Sequence, residues 1–520
     1  MGPVASSQTV PALLARAAQE FAESEAVVTD EVRWTFVELE AKAKAAALAF
    51  VRAGIAPGDR VAIWAPNIPE WIVALLGVHM AGGVVVPLNT RFKGTEAADI
   101  INRSRARLVL CVSGFLDFDY VEALQGAALP NVEQIVVLGG ETPAGATSWD
   151  EFLAGAPEAD LPDVEGSDLS DVIYTSGTTG RPKGVMATHA QTVQVFSSWS
   201  DIVGLTHSDR YLIVNPFFHT FGYKAGIVAC LITGATMVPE PVFDVSVVVR
   251  RIAQQAITML PGPPTLFLSI LDHPHRDAFD LSTLRLAVTG AAAVPLEMIN
   301  RMHSELTFST ILTGYGLTES TGTVSMCRPT DDAKTISTTS GRAIPGVEIR
   351  VVDDASIEVP RGDAGEIVVR GYNVMSGYLD DPEATSKAID ADGWLHTGDI
   401  GVMDERGYID ITDRKKDMMI VGGFNAYPAE IENLLLGHPG VAISAVVGVP
   451  DERLGEVGHA FIVARAGDDP DPDQIIEWCS ARMANYKVPR AVHLVDSLPT
   501  NASGKVLKFE LRARVSRSGR

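Results

Sequence analysis

Cysteine is scarce in this chain: Cys111, Cys230, Cys327 and Cys479 are its only four, widely separated and without partners at metal-ligand spacing. Each reads as a small hydrophobe filling a core, and the scattered histidines form no zinc pattern, so no structural metal is implied. No run approaches the roughly 20 apolar residues that a membrane span needs. The N-terminus lacks the basic start and apolar stretch of a signal peptide. Gly2 with Ser6 is only a faint myristoylation pattern beside Pro3, and the final Ser-Gly-Arg is no peroxisomal address, so the cytoplasm is the expected compartment. Positive charge is short as well. A formal net charge of −23 argues against nucleic acid, whose binding rests on cations meeting phosphates. The deficit is uneven: residues 414–520 carry 14 Lys and Arg against 13 Asp and Glu, which leaves −24 for the rest. A near-neutral segment closing on an acidic body suits a lid over an anionic ligand, and ordinary surface variation explains it equally well.

The 520 residues exceed one ordinary core, and a composition of 46% hydrophobic and 21% charged residues is that of a globular protein with two or more domains. Helical patterns at 38–52 and 70–80 alternate with short apolar runs at 84–88, 108–112, 134–138, 211–214, 235–238, 284–288 and 308–312. Alternation of this kind predicts parallel sheets covered by helices, an α/β architecture. Residues 347–353 and 365–370 read as strands of a smaller β-rich unit. After the charged turn Asp413-Arg414 the pattern becomes that of a small α+β domain. Pro428 opens a helix, strands follow at 441–449 and 460–464, and a further helix lies around 473–485. The expected division is 1–413 and 414–520.

The most informative stretch is Tyr174-Thr175-Ser176-Gly177-Thr178-Thr179-Gly180-Arg181-Pro182-Lys183-Gly184, directly after Asp171-Val172-Ile173, a short β-branched run that reads as a strand end. Glycines at Gly177, Gly180 and Gly184 let the backbone approach a ligand with no Cβ in the way. The hydroxyls of Thr175, Ser176, Thr178 and Thr179, free backbone N–H groups and the Lys183 charge all suit phosphate oxygens. The spacing is not that of a P-loop, because Gly184 rather than Ser or Thr follows Lys183. A flexible polar linker is the plain alternative.

This string resembles the phosphate-binding signature of the adenylate-forming superfamily, which includes acyl-CoA synthetases, firefly luciferase and nonribosomal adenylation domains. Four further motifs stand in the family's order: Tyr315-Gly316-Leu317-Thr318-Glu319-Ser320, Thr397-Gly398-Asp399, Asp413-Arg414-Lys415-Lys416-Asp417 and Asn501-Ala502-Ser503-Gly504-Lys505. The resemblance spans residues 10–512 and implies one large N-terminal domain, built of two α/β sheets and a small β subdomain, with a mobile C-terminal domain. It also implies ATP, Mg²⁺ and coenzyme A as the small molecules handled, in a monomer or homodimer. The chemistry is that of carboxylate activation. A carboxylate repels nucleophiles and has no usable leaving group, so it is joined to AMP as a mixed anhydride that a thiol attacks. Two anions must then be held side by side, which calls for lysine, Mg²⁺ and oriented hydroxyls.

By resemblance, Lys505 bridges the substrate carboxylate and the α-phosphate, and Glu319 ligates Mg²⁺ with Thr175 nearby. Thr318 touches phosphate, Tyr315 beside Gly316 lies against adenine, and Asp399 accepts from the ribose hydroxyls with Arg414 adding a second contact. Lys416 is the hinge on which the small domain turns between half-reactions, and Gly422-Gly423-Phe424 then faces the CoA thiol. The acyl pocket is expected along Phe218, Phe221, Tyr223 and Lys224, with His219 at the gate, and along Gly290-Ala291-Ala292, whose small side chains leave room. Nothing resembles the acid that amino-acid-activating relatives set against an ammonium, and no carrier domain follows, so a free-standing ligase of an apolar acid is expected. The stretch 216–226, with 260–265 and 271–274, is most similar to actinobacterial ligases acting on the propionate side chain of the indanedione left from steroid catabolism. Lys224 would then meet a ring ketone, or else snorkel from an apolar wall to the surface. A medium- or long-chain fatty acid is the alternative substrate. An adenylate user without a CoA step and an inactive nucleotide-binding relative are the alternative functions.

Overall fold

The computed structural model describes residues 8–518 apart from 156–158, 176–181, 291–293, 415–416, 418, 422–423, 427, 452, 484 and 501–505. The expected α/β design is present. An eight-stranded sheet runs Gly377–Tyr378, Lys183–Thr188, Leu169–Thr175, Val84–Pro87, Arg60–Trp64, Leu108–Val112, Gln134–Gly139, Thr147–Ser148. A nine-stranded sheet runs Arg342–Ala343, Ser325–Met326, Thr310–Tyr315, Leu286–Gly290, Met259–Pro261, Arg210–Ile213, Thr236–Pro239, Glu25–Val28, Arg33–Thr35. Both are parallel in their middles and antiparallel at an edge. Strands such as Leu108–Val112 are buried along their whole length, as a sheet covered on both faces requires.

The covering helices follow their sequence signals. Phe36–Arg52 begins at a Thr35–Glu38 capping box and buries Phe36, Leu39, Ala43, Ala46, Ala47 and Phe50. Its alanines bring Pro69–Met80 so close that a Cβ on Gly77 would lie 2.6 Å from the Ala46 Cβ. A four-stranded antiparallel sheet, Val347–Val352, Ala364–Gly371, Leu395–Met403 and Ile409–Arg414, forms the smaller β unit. A five-stranded sheet follows in the order Phe424–Ala426, Met419–Val421, Gly455–Ala464, Val441–Asp451, with Ala491–Leu494 also pairing to Gly455–Ala464, and it has its own core around Met419, Ile431, Val446 and Ile462. Sheet membership changes between Arg414, which still pairs with Asp399, and Met419. The helix expected at 473–485 is Pro472–Ser480, closed by a backbone bond from Ala481 to Glu477. Among the described residues no helix is long and apolar enough to cross a membrane.

Candidate active site

The phosphate-type loop springs from a hairpin. Leu169–Thr175 runs antiparallel to Lys183–Thr188, in a register that sets Thr175 opposite Lys183 and Tyr174 opposite Gly184. Glycine is required at 184 because a Cβ there would lie 2.8 Å from Val172 Cγ1 and 2.9 Å from Tyr174 Cζ. Ser176, Gly177, Thr178, Thr179 and Gly180 lie outside the described residues.

Three motif segments converge at the carboxyl ends of the parallel strands, where open α/β sheets keep their ligand sites. Tyr315 ends Thr310–Tyr315, and Thr318–Ser320 forms a tight turn just after it. A Cβ on Gly316 would come within 2.1 Å of the Gly322 carbonyl oxygen, so only glycine lets the chain double back here. The Tyr315 hydroxyl donates to Asp399 Oδ2 at 2.6 Å. Asp399 is buried at the fold of the small β sheet, with its N–H donating to Thr397 Oγ1. Arg414 is its partner in the ladder, which brings the two expected ribose-binding positions side by side in backbone terms.

Glu319 and Lys183 are joined by a residue that sequence reasoning missed. The Tyr378 hydroxyl donates to Glu319 Oε1 at 3.0 Å, and Lys183 Nζ lies 4.9 Å from the centre of the Tyr378 ring. Burial, and then the Glu319 charge, push the phenol well above its ordinary range, so it remains a donor. Tyr378 stands in a two-residue strand paired with Val185, too short to show any periodicity. The sequence held no signal for it beyond an aromatic next to a glycine.

The aromatic stretch is strongly packed. Phe217 and Tyr223 are fully buried against Trp71, with ring centres 5.1 and 6.1 Å away. Phe221 meets Trp199 edge-on at 6.2 Å, and Phe218 is buried. His219 Nδ1 accepts from the Phe221 N–H at 3.2 Å and so caps the short helix that follows. On the other side Gly290 and Gly314 are ladder partners, and a Cβ on Gly290 would stand 2.9 Å from the Gly314 oxygen. Ala291 and Ala292 lie outside the described residues.

Lys224 corrects the sequence reading. It does not snorkel to the surface; its side chain is 1% exposed and its Nζ lies 2.9 Å from Asp171 Oδ2, in a carboxylate equally buried. The ammonium is therefore engaged by the protein rather than offered to a ring ketone. Burial works to lower the Lys224 pKa while Asp171 works to raise it, and burial prevails. The signal for this pair was an aspartate next to the apolar Val172-Ile173 of a strand, since a buried charge needs a partner.

Lys416, Gly422, Gly423 and Lys505 lie outside the described residues. Their neighbours are placed: Val421 pairs with Phe424, Asp417 bonds Arg512 at 2.7 Å, and Thr500 bridges Val506 across the Lys505 segment. A cleft of about 240 Å³ opens in the C-terminal unit between Glu430, Arg482 and Lys487, and no motif residue lines it. Among the described residues no group of three or more His, Cys, Asp or Glu could hold a metal unaided. A lone Glu319 beside a phosphate-type loop instead fits Mg²⁺, which binds through one or two carboxylates plus substrate phosphates.

Known proteins resemble this chain along nearly its whole length. Residues 14–379 match the family of AMP-binding enzymes, and residues 430–505 match the AMP-binding enzyme C-terminal domain. A 7a-methyl-1,5-dioxo-octahydroindenyl propanoyl:CoA ligase from Rhodococcus jostii is 52% identical over 516 residues, 97% of this chain and 98% of that one. The ligase of the same description from Mycobacterium tuberculosis is 50% identical, covering 97% and 98%. A crystal structure of an anthranilate CoA ligase in complex with anthranoyl-AMP superposes with a TM-score of 0.91 at 29% identity, covering 98% of each chain.

Proposed function

This chain belongs to the AMP-binding enzyme family and is an AMP-forming CoA ligase; from that premise we propose that its acid is the propionate side chain of a methylated bicyclic indanedione. The reaction is carboxylate plus ATP giving acyl-AMP and pyrophosphate, then acyl-AMP plus CoA giving acyl-CoA and AMP. The observation that carries the choice of acid is the 52% identity to an indanedione propionate ligase along 97% of this chain. The aromatic rings of Phe218 and Phe221 support it, since rigid rings suit a compact fused-ring substrate.

In this reading each motif residue has a task. Asp399, held by Tyr315, accepts from the ribose, and Arg414 approaches it from the neighbouring strand. Tyr315 covers the adenine. Thr175, Thr318, Lys183 and the loop 176–180 gather phosphate oxygens. Mg²⁺, when bound through Glu319, offsets phosphate charge. Lys505 brings the cation that lets carboxylate and α-phosphate meet, carried by a C-terminal domain that begins at 414 and turns about Lys416. Gly422, Gly423 and Phe424 then face the incoming thiol, with His219 at the acyl gate. The reaction runs in the cytoplasm, where ATP and CoA are both supplied.

The test is CoA thioester formation across indanedione propionate, medium- and long-chain fatty acids and aromatic acids, read by mass. The indanedione acid is expected to give the highest kcat/KM. A fatty acid ahead of it by tenfold or more, about 1.4 kcal/mol of transition-state preference, overturns the choice.

A further inference from the structure

The Lys224–Asp171 pair has a cost that stability alone does not recover. Two charges withdrawn from water regain little over a well-packed apolar pair, so a buried pair of this kind is weak evidence for stabilisation. Its surroundings are not otherwise polar-saturated: His79 Nδ1 and Trp71 Nε1 are buried without hydrogen-bond partners. His79 Nε2 donates to the Ser170 carbonyl at 2.9 Å, and its ring stands edge-on to His189 at 4.8 Å. Burial holds both imidazoles well below their ordinary range, so neither competes with Lys224 for Asp171. Ser170 Oγ donates to the same carboxylate oxygen at 2.7 Å.

The two residues belong to the two halves of the site. Asp171 sits in the strand that ends at Thr175, where the phosphate loop begins. Lys224 is the second residue of a π-helical turn, Tyr223–Val228, that follows directly on the aromatic stretch. A π turn holds one residue more than the α turn it replaces, and such turns recur at functional sites. Relaxation to α-helix would rotate the preceding residues by about 100° relative to those after it, carrying Phe221 and Tyr223 off their present faces. Gly222 cannot resist this alone. Its role is to let the chain pass the Pro216 carbonyl, from which a Cβ would stand only 2.1 Å away.

We propose that Lys224 is a positioning residue: bound to Asp171, it locks the π turn in register and so fixes the aromatic wall that receives the acid against the strand that carries the phosphate loop. The pair acts on the acid's binding and not on the chemistry. The inference rests on placing the acid beside Phe217–Phe221, as in the reading above.

The decisive variant removes both charges, Asp171→Leu with Lys224→Met, because Lys224→Met alone would strand a buried carboxylate and is liable to misfold. The double variant is expected to melt near wild type. Its KM for the acid should rise about tenfold or more, with the KM values for ATP and CoA within about twofold and kcat at saturating acid within about threefold. Hydrogen exchange should quicken over 217–228 and stay unchanged over 169–175. An unchanged acid KM in the folded double variant overturns the proposal, as does a parallel rise for acid and ATP. Phe221→Ala in the wild-type background tests the placing of the acid separately: a KM for the acid that it leaves unmoved counts against that reading, whatever the double variant does.

Discussion

The Tyr315 hydroxyl reaches across from the end of a nine-stranded sheet and donates to Asp399 in the small β sheet, at 2.6 Å. The bond links two strands 84 positions apart and orients a buried carboxylate before any nucleotide arrives. A charge-assisted bond of this kind contributes roughly 1.5–3 kcal/mol where both ends are shielded. Tyr315→Phe keeps a ring for the adenine and removes only the anchor. Its KM for ATP is expected to rise by roughly 5–20-fold, with the acid KM nearly constant. Steady-state kinetics with each substrate varied in turn checks this; an ATP KM equal to wild type would show that Asp399 orients itself.

Tyr378 offers a second separable contact. Tyr378→Phe leaves the ring beneath Lys183 and deletes the hydroxyl that holds Glu319 Oε1. Ligand-orienting partners of this kind typically change metal affinity by about 10–100-fold when lost. The variant should therefore need at least about tenfold more Mg²⁺ for half-maximal pyrophosphate release, with the ATP-independent thermal stability little altered. Titration of Mg²⁺ at fixed free ATP is the measurement, and chelation with EDTA should abolish the first half-reaction in both proteins.

Local features of this fold were legible and long-range ones were not. Thr35 and Glu38 announce the start of Phe36–Arg52, and the run at 108–112 reads as a buried strand because a two-faced covering needs unbroken apolar residues. Tyr315 and Asp399 could be named from their motifs, yet their bond could not, since strand order across separate sheets leaves no local trace. Asp171 and Lys224 are the sharper case. Each stood in a segment already singled out, and each was read against its own neighbours: Asp171 as part of a strand leading to a loop, Lys224 as a ring-ketone contact or a surface lysine. Only the tertiary fold, which lets the Lys224 side chain reach from the turn Tyr223–Val228 to the strand Leu169–Thr175, makes them partners. Tyr378 was silent because two residues of strand carry no period.

Acid should weaken the fold earlier than its carboxylates explain. Burial, then the Lys224 charge, hold His189 at a pKa of about 3 in the folded protein, against about 6.5 when the chain unfolds. Between these values the unfolded chain binds the extra proton, so stability is complete above pH 6.5 and falls as pH drops below it. The slope approaches about 1.4 kcal/mol per pH unit for this one group. His189→Asn keeps an acceptor in its Oδ1 for the Val10 N–H and removes the titrating ring, so it should flatten the decline between pH 6.5 and 5.5. Urea midpoints at pH 7.5, 6.5 and 5.5 give both slopes, and identical slopes would exclude His189 as the proton acceptor.

The two half-reactions should come apart at two lysines of the C-terminal motifs. In the proposed reading Lys505 offsets carboxylate and α-phosphate together, and it is the one cation of its motif. Lys505→Ala should therefore lower pyrophosphate release by about 100-fold or more, the scale seen when one preorganised charge is removed from a transition state. ATP should still bind within a few-fold, because Tyr315, Asp399 and Lys183 are untouched. The variant should also convert preformed acyl-AMP and CoA to thioester at close to the wild-type rate, since the proposed reading gives the lysine no part in the second step. Lys416→Pro should do the opposite. On the proposed hinge role, a proline that locks φ near about −65° hinders the turn at 416, so thioester formation from acyl-AMP should slow while adenylation persists. Single-turnover assays started from acid with ATP, and separately from synthetic acyl-AMP with CoA, read the two steps independently. Equal slowing of both steps in either variant would mean that one fixed arrangement of the chain serves the whole reaction, and that the C-terminal domain does not turn.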